Sequence, residues 1–508
     1  MLFSSITFLY FFLPVVLLLY GVVPKQAKNF ILCIASCLFY AWGEPIYLFL
    51  MLIQIVIAYG LTQIMEKKRD TKAGKVIFIL AVLIPFASLF FFKYFSFLFR
   101  ELLGIAGSSM KTLVVDVPFL GKLDLLNIVL PVGISFYTFQ LVSYIVDVWR
   151  GETAAQKSLL KLATYITMFP QLIAGPIVRY KGTDKALDDR ETHVKDYADG
   201  IVRFAIGLGK KVLIANTLGD FVQEISGMSG NSIALAWAYA LAVTMQIYFD
   251  FSGYSDMAIG LGAMLGFTFP ENFNYPLISG SLTEFWRRWH MTLGSWFRDY
   301  VYIPLGGNRV GIVKWIRNIL IVWMLTGIWH GAGWNFVVWG LFFGVLLMVE
   351  KLGAGIHENK DDLTQKKSFA SVLWKGIMCC GRHVYVLVAV LISFLIFNGM
   401  TMEESWQDIQ NLVCAPIWMD ELSVYMLRNR AGILLVAIVG ATPLPKRLWE
   451  KLTLRFGTEA MCEVDSKTVT MSMIVFRMIQ IIMVAILLLL CTAYLVDGSF
   501  NPFLYFRF

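Results

Sequence analysis

Two histidines stand out in this chain as groups able to move a proton. His290 ends Thr-Glu-Phe-Trp-Arg-Arg-Trp-His (283–290), and His330 sits in Leu-Thr-Gly-Ile-Trp-His-Gly-Ala-Gly-Trp-Asn (325–335). The whole protein has five histidines among 508 residues, 58% of them hydrophobic and 15% charged. Ionisable groups are expensive in hydrocarbon, so those retained there usually have a function. A neutral imidazole suits general-base work, because its ordinary pKa is about 6.5. A positioned base typically contributes about 10²–10⁴-fold. A hydroxyl acceptor attacking a thioester is one reaction that needs such help. No Gly-x-Ser-x-Gly elbow accompanies the pair, which favours direct attack by the acceptor and leaves a covalent intermediate open.

The surroundings of the two differ. Over 283–300 a single helix would place Glu284 four residues before Arg288, Arg287 three before His290, and Trp286 and His290 on one face. That pattern predicts an interfacial amphipathic helix with an aromatic belt and snorkelling arginines. It accounts for the tryptophans and arginines and leaves His290 unexplained. His330 is flanked by Gly327, Gly331 and Gly333, between two hydrophobic runs. Glycines admit a close approach of backbone or substrate. A break at membrane depth must be buried in protein or face a wet cavity. His330 lies 13 residues beyond Arg317, about 20 Å if helical, and 21 before Lys351, about 32 Å. Those bounds place it between the midplane and the outer face. Asp250 and Asp256, in Tyr-Phe-Asp-Phe-Ser-Gly-Tyr-Ser-Asp (248–256), are too few for calcium. They are expected to brace a helix break or pair with a buried arginine, and no metal site is expected.

The composition explains what must position these groups. A soluble domain carries roughly 25% charged residues. Here the low charge, the mean hydropathy of +0.68 and recurring apolar runs near 20 residues indicate an all-α, multi-pass membrane bundle. The runs fall near 6–23, 30–42, 46–65, 76–98, 125–146, 160–178, 200–218, 232–250, 254–269, 318–329, 334–350, 384–399, 423–443 and 472–494. Several are short, and 160–178, 254–269 and 318–329 are predicted to be re-entrant or tilted, leaving roughly eleven spans around an internal chamber. The first run lacks a positive flank and a cleavage site, so it is read as a retained helix. The seven cysteines show no metal-type Cys-x-x-Cys spacing. The net charge of +8 follows from the positive-inside bias, and no nucleic-acid partner is expected.

Lys25, Lys28 and the basic segment 66–75 fall two crossings apart, hence on one face, which should be cytoplasmic. Residues 351–382 are again basic, 400–421 carry five acids and no Lys or Arg, and 446–455 are basic. The N-terminus is therefore expected outside, as is the aromatic C-terminus. The reading is of one integral membrane domain over 1–508. It comprises N-terminal helices (1–124), a core with both histidine motifs (125–350) and C-terminal helices (351–508).

Six stretches together resemble the membrane-bound O-acyltransferase family, in its alginate O-acetyltransferase branch. They are 130–140 (Leu-Pro-Val-Gly-Ile-Ser-Phe-Tyr-Thr-Phe-Gln), 169–179 (Phe-Pro-Gln-Leu-Ile-Ala-Gly-Pro-Ile-Val-Arg), 248–260, 285–290 (Phe-Trp-Arg-Arg-Trp-His), 298–309 and 327–335 (Gly-Ile-Trp-His-Gly-Ala-Gly-Trp-Asn). The resemblance implies a helical membrane enzyme with a central tunnel, a catalytic His330 and a supporting His290 in that tunnel. It implies acetyl transfer, with acetyl-CoA as the cytoplasmic donor and no bound cofactor, to an exported polysaccharide such as alginate. Related systems use a separate extracytoplasmic acetyltransferase, so a partner protein at the plasma membrane is implied. The nearest rival is D-alanyl transfer to teichoic acid by a relative with the same histidines. Its chains are generally shorter, so the long region 351–508 favours the polysaccharide branch. A transporter is a second rival, and no inverted repeat supports it. An inactive scaffold of an export machine is a third, and retention of both histidines opposes it.

Overall fold

Local signals start the helices where the apolar runs begin. Pro45 opens the helix Pro45–Lys67, where its missing N–H is no loss. Ser232, Ser281 and Thr401 cap the helices that follow them by accepting from Leu235, Glu284 and Glu404 N–H. In this computed structural model the described residues are 1–105, 112–117, 121–228, 230–357, 369–455 and 471–498. The aromatic C-terminus, Cys462 and the loop lysines Lys360, Lys366 and Lys367 lie outside them.

Among the described residues, eight helices are long and apolar enough to cross a membrane. They are Pro45–Lys67, Lys72–Gly104, Ile233–Met264, Ile312–His330, Trp334–Gly353, Gly376–Asn398, Glu421–Gly440 and Ile474–Asp497. The chain is a multi-pass membrane protein. Ile233–Met264 is the central pillar: 78% of its apolar window is buried within the protein, against 11–44% for the others. Those others carry rows of exposed Leu, Ile, Val and Phe, as lipid-facing helices must. Two close glycine pairs hold the helix Val194–Gly209 to the pillar. A Cβ at Gly200 would stand 2.7 Å from Gly260 O, and one at Gly207 would stand 2.6 Å from Gly253 O. Small residues let backbones approach where lipid supplies no hydrophobic drive.

Among the described residues, several of the expected segments merge or break. The runs 232–250 and 254–269 form the one helix Ile233–Met264. Asp250 and Asp256 do not interrupt it, because each is neutralised by the helical segment 194–216 packed alongside. Lys211 pairs with Asp250 at 2.5 Å in a buried contact, while Lys210 and Arg203 hold Asp256 at 2.6 and 2.9 Å. The segment 318–329 is no re-entrant loop either. It belongs to the 19-residue helix Ile312–His330, about 28 Å long and near the thickness of the hydrocarbon. The run 160–178 is broken, as expected, into Leu159–Thr167 and Phe169–Leu172. One hairpin, Val114–Val117 paired antiparallel with Gly121–Asp124, is a small departure from an all-α chain.

The two ends of the pillar meet different charged segments. Near its Met264 end, Arg190 and Thr192 pack on Gly266, and Tyr20 donates to Leu265 O. The same region joins Lys25 to Glu191 at 2.8 Å. At its other end, Ile233 and Ala234 N–H donate to Ile417 and Trp418 O, within the stretch rich in acids.

Candidate active site

The two histidines are brought together by the ends of short or broken elements. His330 is the last residue of Ile312–His330, and Gly331 follows in extended conformation. Its imidazole packs edge-on against three rings: Trp329 and Trp339, each at 4.9 Å between centroids, and Phe397 at 5.1 Å. His290 is not on a continuous amphipathic helix. The chain breaks at Trp289, between the helices Leu282–Arg288 and Met291–Phe297. His290 takes a left-handed backbone there, with φ of 41°. A non-glycine residue in that region is uncommon and is held by its surroundings. Its side chain is buried, and so are Trp289 and Trp296, which form core and not an interfacial belt. The expected Glu284–Arg288 pair does form, at 2.8 Å. The interfacial reading fails because buried packing outweighs the helical periodicity beyond Arg288.

Trp329 meets both imidazoles, with ring centroids 4.9 Å from His330 and 5.9 Å from His290. Phe139 stacks on Trp329 at 5.5 Å and on Trp296 at 3.8 Å, tying the site to the buried helix Ile134–Arg150. Phe251 of the pillar meets the His290 ring edge-on at 4.6 Å. Phe251 lies 13 residues from Met264, about 20 Å along a helix. The His290 level is therefore deep within the bundle.

His290 Nδ1 lies 3.0 Å from Asn272 Oδ1. Its other nitrogen, Nε2, is buried without a hydrogen-bond partner among the described residues. Leaving a buried acceptor unpaired costs about 1–3 kcal/mol. Such groups call for an explanation, and a reacting partner is one. The helix Trp334–His357 supports both halves of the site. It begins just after His330, and its Glu350 carboxylate accepts from Leu282 N–H at 2.6 Å, Thr283 N–H at 3.0 Å and the Thr283 hydroxyl at 2.8 Å. A carboxylate there also complements the positive end of the helix leading to His290.

Sequence reasoning missed Lys93. Its Nζ is buried and donates to Trp329 O at 2.6 Å and His330 O at 3.0 Å, while Tyr94 OH donates to Ile328 O at 2.8 Å. Three consecutive carbonyls at a helix end, which have no partner within the helix, are thus capped from one neighbouring turn. The signal was present: Lys93 is the sole charged residue within the apolar run 76–98. An intramolecular hydrogen bond contributes about 0.5–1.5 kcal/mol net. Lys93→Met is expected to lower the melting temperature of the purified, detergent-solubilised protein and to reduce its activity by loosening the end that carries His330. An unchanged melting curve and rate would show that this cap contributes nothing.

A protonatable nitrogen deep in the bundle, a second imidazole meeting one shared indole and a rigid aromatic frame can take a proton from a hydroxyl. Among the described residues there is no cluster of three or more His, Cys, Asp or Glu able to hold a metal.

Comparison with known proteins points the same way. A family model described as MBOAT, membrane-bound O-acyltransferase family, matches residues 152–356, which include both histidines. The chain is 39% identical over 434 residues to a Pseudomonas aeruginosa protein named "Probable alginate O-acetylase AlgI", covering 85% of this chain and 78% of that one. The Azotobacter vinelandii protein of the same name is 34% identical over 525 residues, covering 100% of both. The Bacillus subtilis teichoic acid D-alanyltransferase is 34% identical over 235 residues, 44% of this chain and 59% of that one.

Proposed function

This chain belongs to the membrane-bound O-acyltransferase family, and from that premise we propose that it moves an acetyl group from acetyl-CoA towards hydroxyls of an exported polysaccharide. It is an O-acyltransferase. The observation that carries the reading is the placement of two imidazoles about one indole, deep in a membrane bundle. His330 takes the proton of the acceptor hydroxyl as its oxygen bonds to the acyl carbon. The carbon–sulfur bond then breaks, and the leaving thiolate recovers the proton. His290 supports the same step. Full-length similarity to proteins named for alginate acetylation favours acetyl over D-alanyl transfer, since the Bacillus subtilis and Streptococcus thermophilus D-alanyltransferases align with 44% and 55% of this chain.

The donor is taken to enter from the cytoplasm at the plasma membrane, with the N-terminus outside. The basic segments 66–75 and 446–455, set against the Lys- and Arg-free stretch 400–421, support this orientation. Delivery to the polysaccharide is completed by an extracytoplasmic acetyltransferase partner. The test is to delete the gene and analyse the ester-linked groups of the surface glycans. Loss of ester-bound acetate from a polysaccharide supports the reading. Loss of ester-bound D-alanine from teichoic acid, with acetate intact, overturns it.

A further inference from the structure

Asn272 stands on the extended stretch after the pillar, in Pro-Glu-Asn-Phe-Asn (270–274), a stretch to which the sequence assigns no task. This stretch laces directly onto the break that carries His290. Asn274 N–H donates to Arg288 O at 2.9 Å, and Met291 N–H donates to Asn272 O at 3.0 Å. The side-chain amide of Asn272 is buried and engaged at both ends. Nδ2 faces Ser255 Oγ at 3.0 Å and the carbonyl of Gly175 at 3.4 Å. Oδ1 faces His290 Nδ1 at 3.0 Å, the Thr292 hydroxyl at 2.9 Å and Thr292 N–H at 3.4 Å.

These partners allow one orientation of the amide. A carbonyl oxygen only accepts, so Gly175 O requires the NH₂ group of Asn272. A backbone N–H only donates, so Thr292 N–H requires its oxygen. The Thr292 hydroxyl already accepts from Ile177 N–H at 3.0 Å, leaving its own proton for Oδ1. With the amide reversed, Nδ2 would face one N–H donor and Oδ1 would face one carbonyl. Hence His290 Nδ1 meets an oxygen that can only accept, and Nδ1 must carry the proton. In the neutral ring Nε2 then has the lone pair, and Nε2 is the atom without a partner.

We infer that Asn272 is a positioning residue that fixes the tautomer of His290, so that His290 presents an acceptor-only nitrogen to the reacting groups. The inference rests on the acyl-transfer reading for its consequence and on the hydrogen-bond geometry for its content. It restricts what His290 does. A bare Nε2 accepts a hydrogen bond or a proton from an O–H or N–H of the substrate. It cannot donate to the carbonyl oxygen of the thioester, so His290 does not belong to the group that stabilises an oxyanion.

The test uses the full-length protein labelled with [¹⁵N]histidine in detergent micelles, with His290→Gln to assign the His290 signals. Wild type should show His290 protonated on Nδ1 and bare on Nε2. Asn272→Ala should lose that single pattern and reduce transfer by about tenfold or more, short of the loss expected on removing a base outright. Asn272→Asp keeps an acceptor oxygen for Nδ1–H. It should retain the wild-type tautomer and recover only part of the rate, because its second oxygen cannot donate to Gly175 O. A wild-type ring protonated on Nε2 would overturn the inference, as would an Asn272→Ala protein with unaltered tautomer. Equal loss of rate in Asn272→Asp and Asn272→Ala, with the tautomer kept in both, would reduce Asn272 to a structural brace. The tautomer is read without any assay of transfer, so an error in substrate would leave this result standing.

Discussion

Cells carrying His330→Ala, at matched expression, are expected to lose about 10²–10⁴-fold of the rate at which acetate reaches the surface polysaccharide. The magnitude is that of a positioned general base. The imidazole sits among Trp329, Trp339 and Phe397, which hold its plane by edge-on contacts. The substitution leaves the backbone cap intact, since Lys93 holds the carbonyl of residue 330 and not its ring. Alanine is also a good helix former at the end of Ile312–His330. A folded but inactive protein is therefore the expected product. His330→Gln, closer in volume, should be as inactive, which separates loss of the base from loss of packing. Unchanged ester-bound acetate in His330→Ala cells would remove His330 from the chemistry.

The sequence singled out His330 because its motif breaks an apolar pattern with glycines, and the structure ends a helix there. His290 was harder to place. Its flanking arginines and tryptophans mimic an interfacial helix, and periodicity alone cannot show that the chain turns at Trp289 into a left-handed residue. That turn depends on contacts with Asn272, 18 residues earlier, and on the pairing of 272–274 with 288–291. Lys93 was visible as a lone charge in an apolar run, but its partners lie 236 and 237 residues away. The pillar misled the reading for a related reason. Asp250 and Asp256 look like interruptions until Lys210, Lys211 and Arg203 are brought alongside by the Gly207–Gly253 contact. Fold class was legible from hydropathy. The site was legible only where one short segment contained it.

The second large effect should come from a methyl group placed one helical turn before His330. The helices Ile312–His330 and Trp334–His357 cross with their backbones touching. A Cβ on Gly327 would lie 2.2 Å from Phe336 O, and one on Gly340 would lie 2.2 Å from Trp323 O. Ordinary contact begins near 3.4 Å, so Gly327→Ala must force the crossing apart by roughly 1 Å, because the obstacle is backbone and not a flexible side chain. The two helices are joined by only Gly331, Ala332 and Gly333, so the shift cannot be absorbed in a long loop. It falls on His330. A misplacement of about 1 Å can reduce a reaction by about 10²-fold, even from outside the chemistry. Gly327→Ala is therefore expected to reduce transfer about 10²-fold and to destabilise the protein by about 1–3 kcal/mol, measured by thermal unfolding in detergent beside the acetate assay. Gly60→Ala is the matched control. It lies within the helix Pro45–Lys67 with nothing within 4 Å of the added carbon. There the same change should be neutral or stabilising by about 0.5–1 kcal/mol, because alanine loses less conformational freedom in a helix. Wild-type transfer by Gly327→Ala would mean that the crossing does not set the position of His330. The glycines around that histidine would then serve the passage of substrate and not the packing of the two helices.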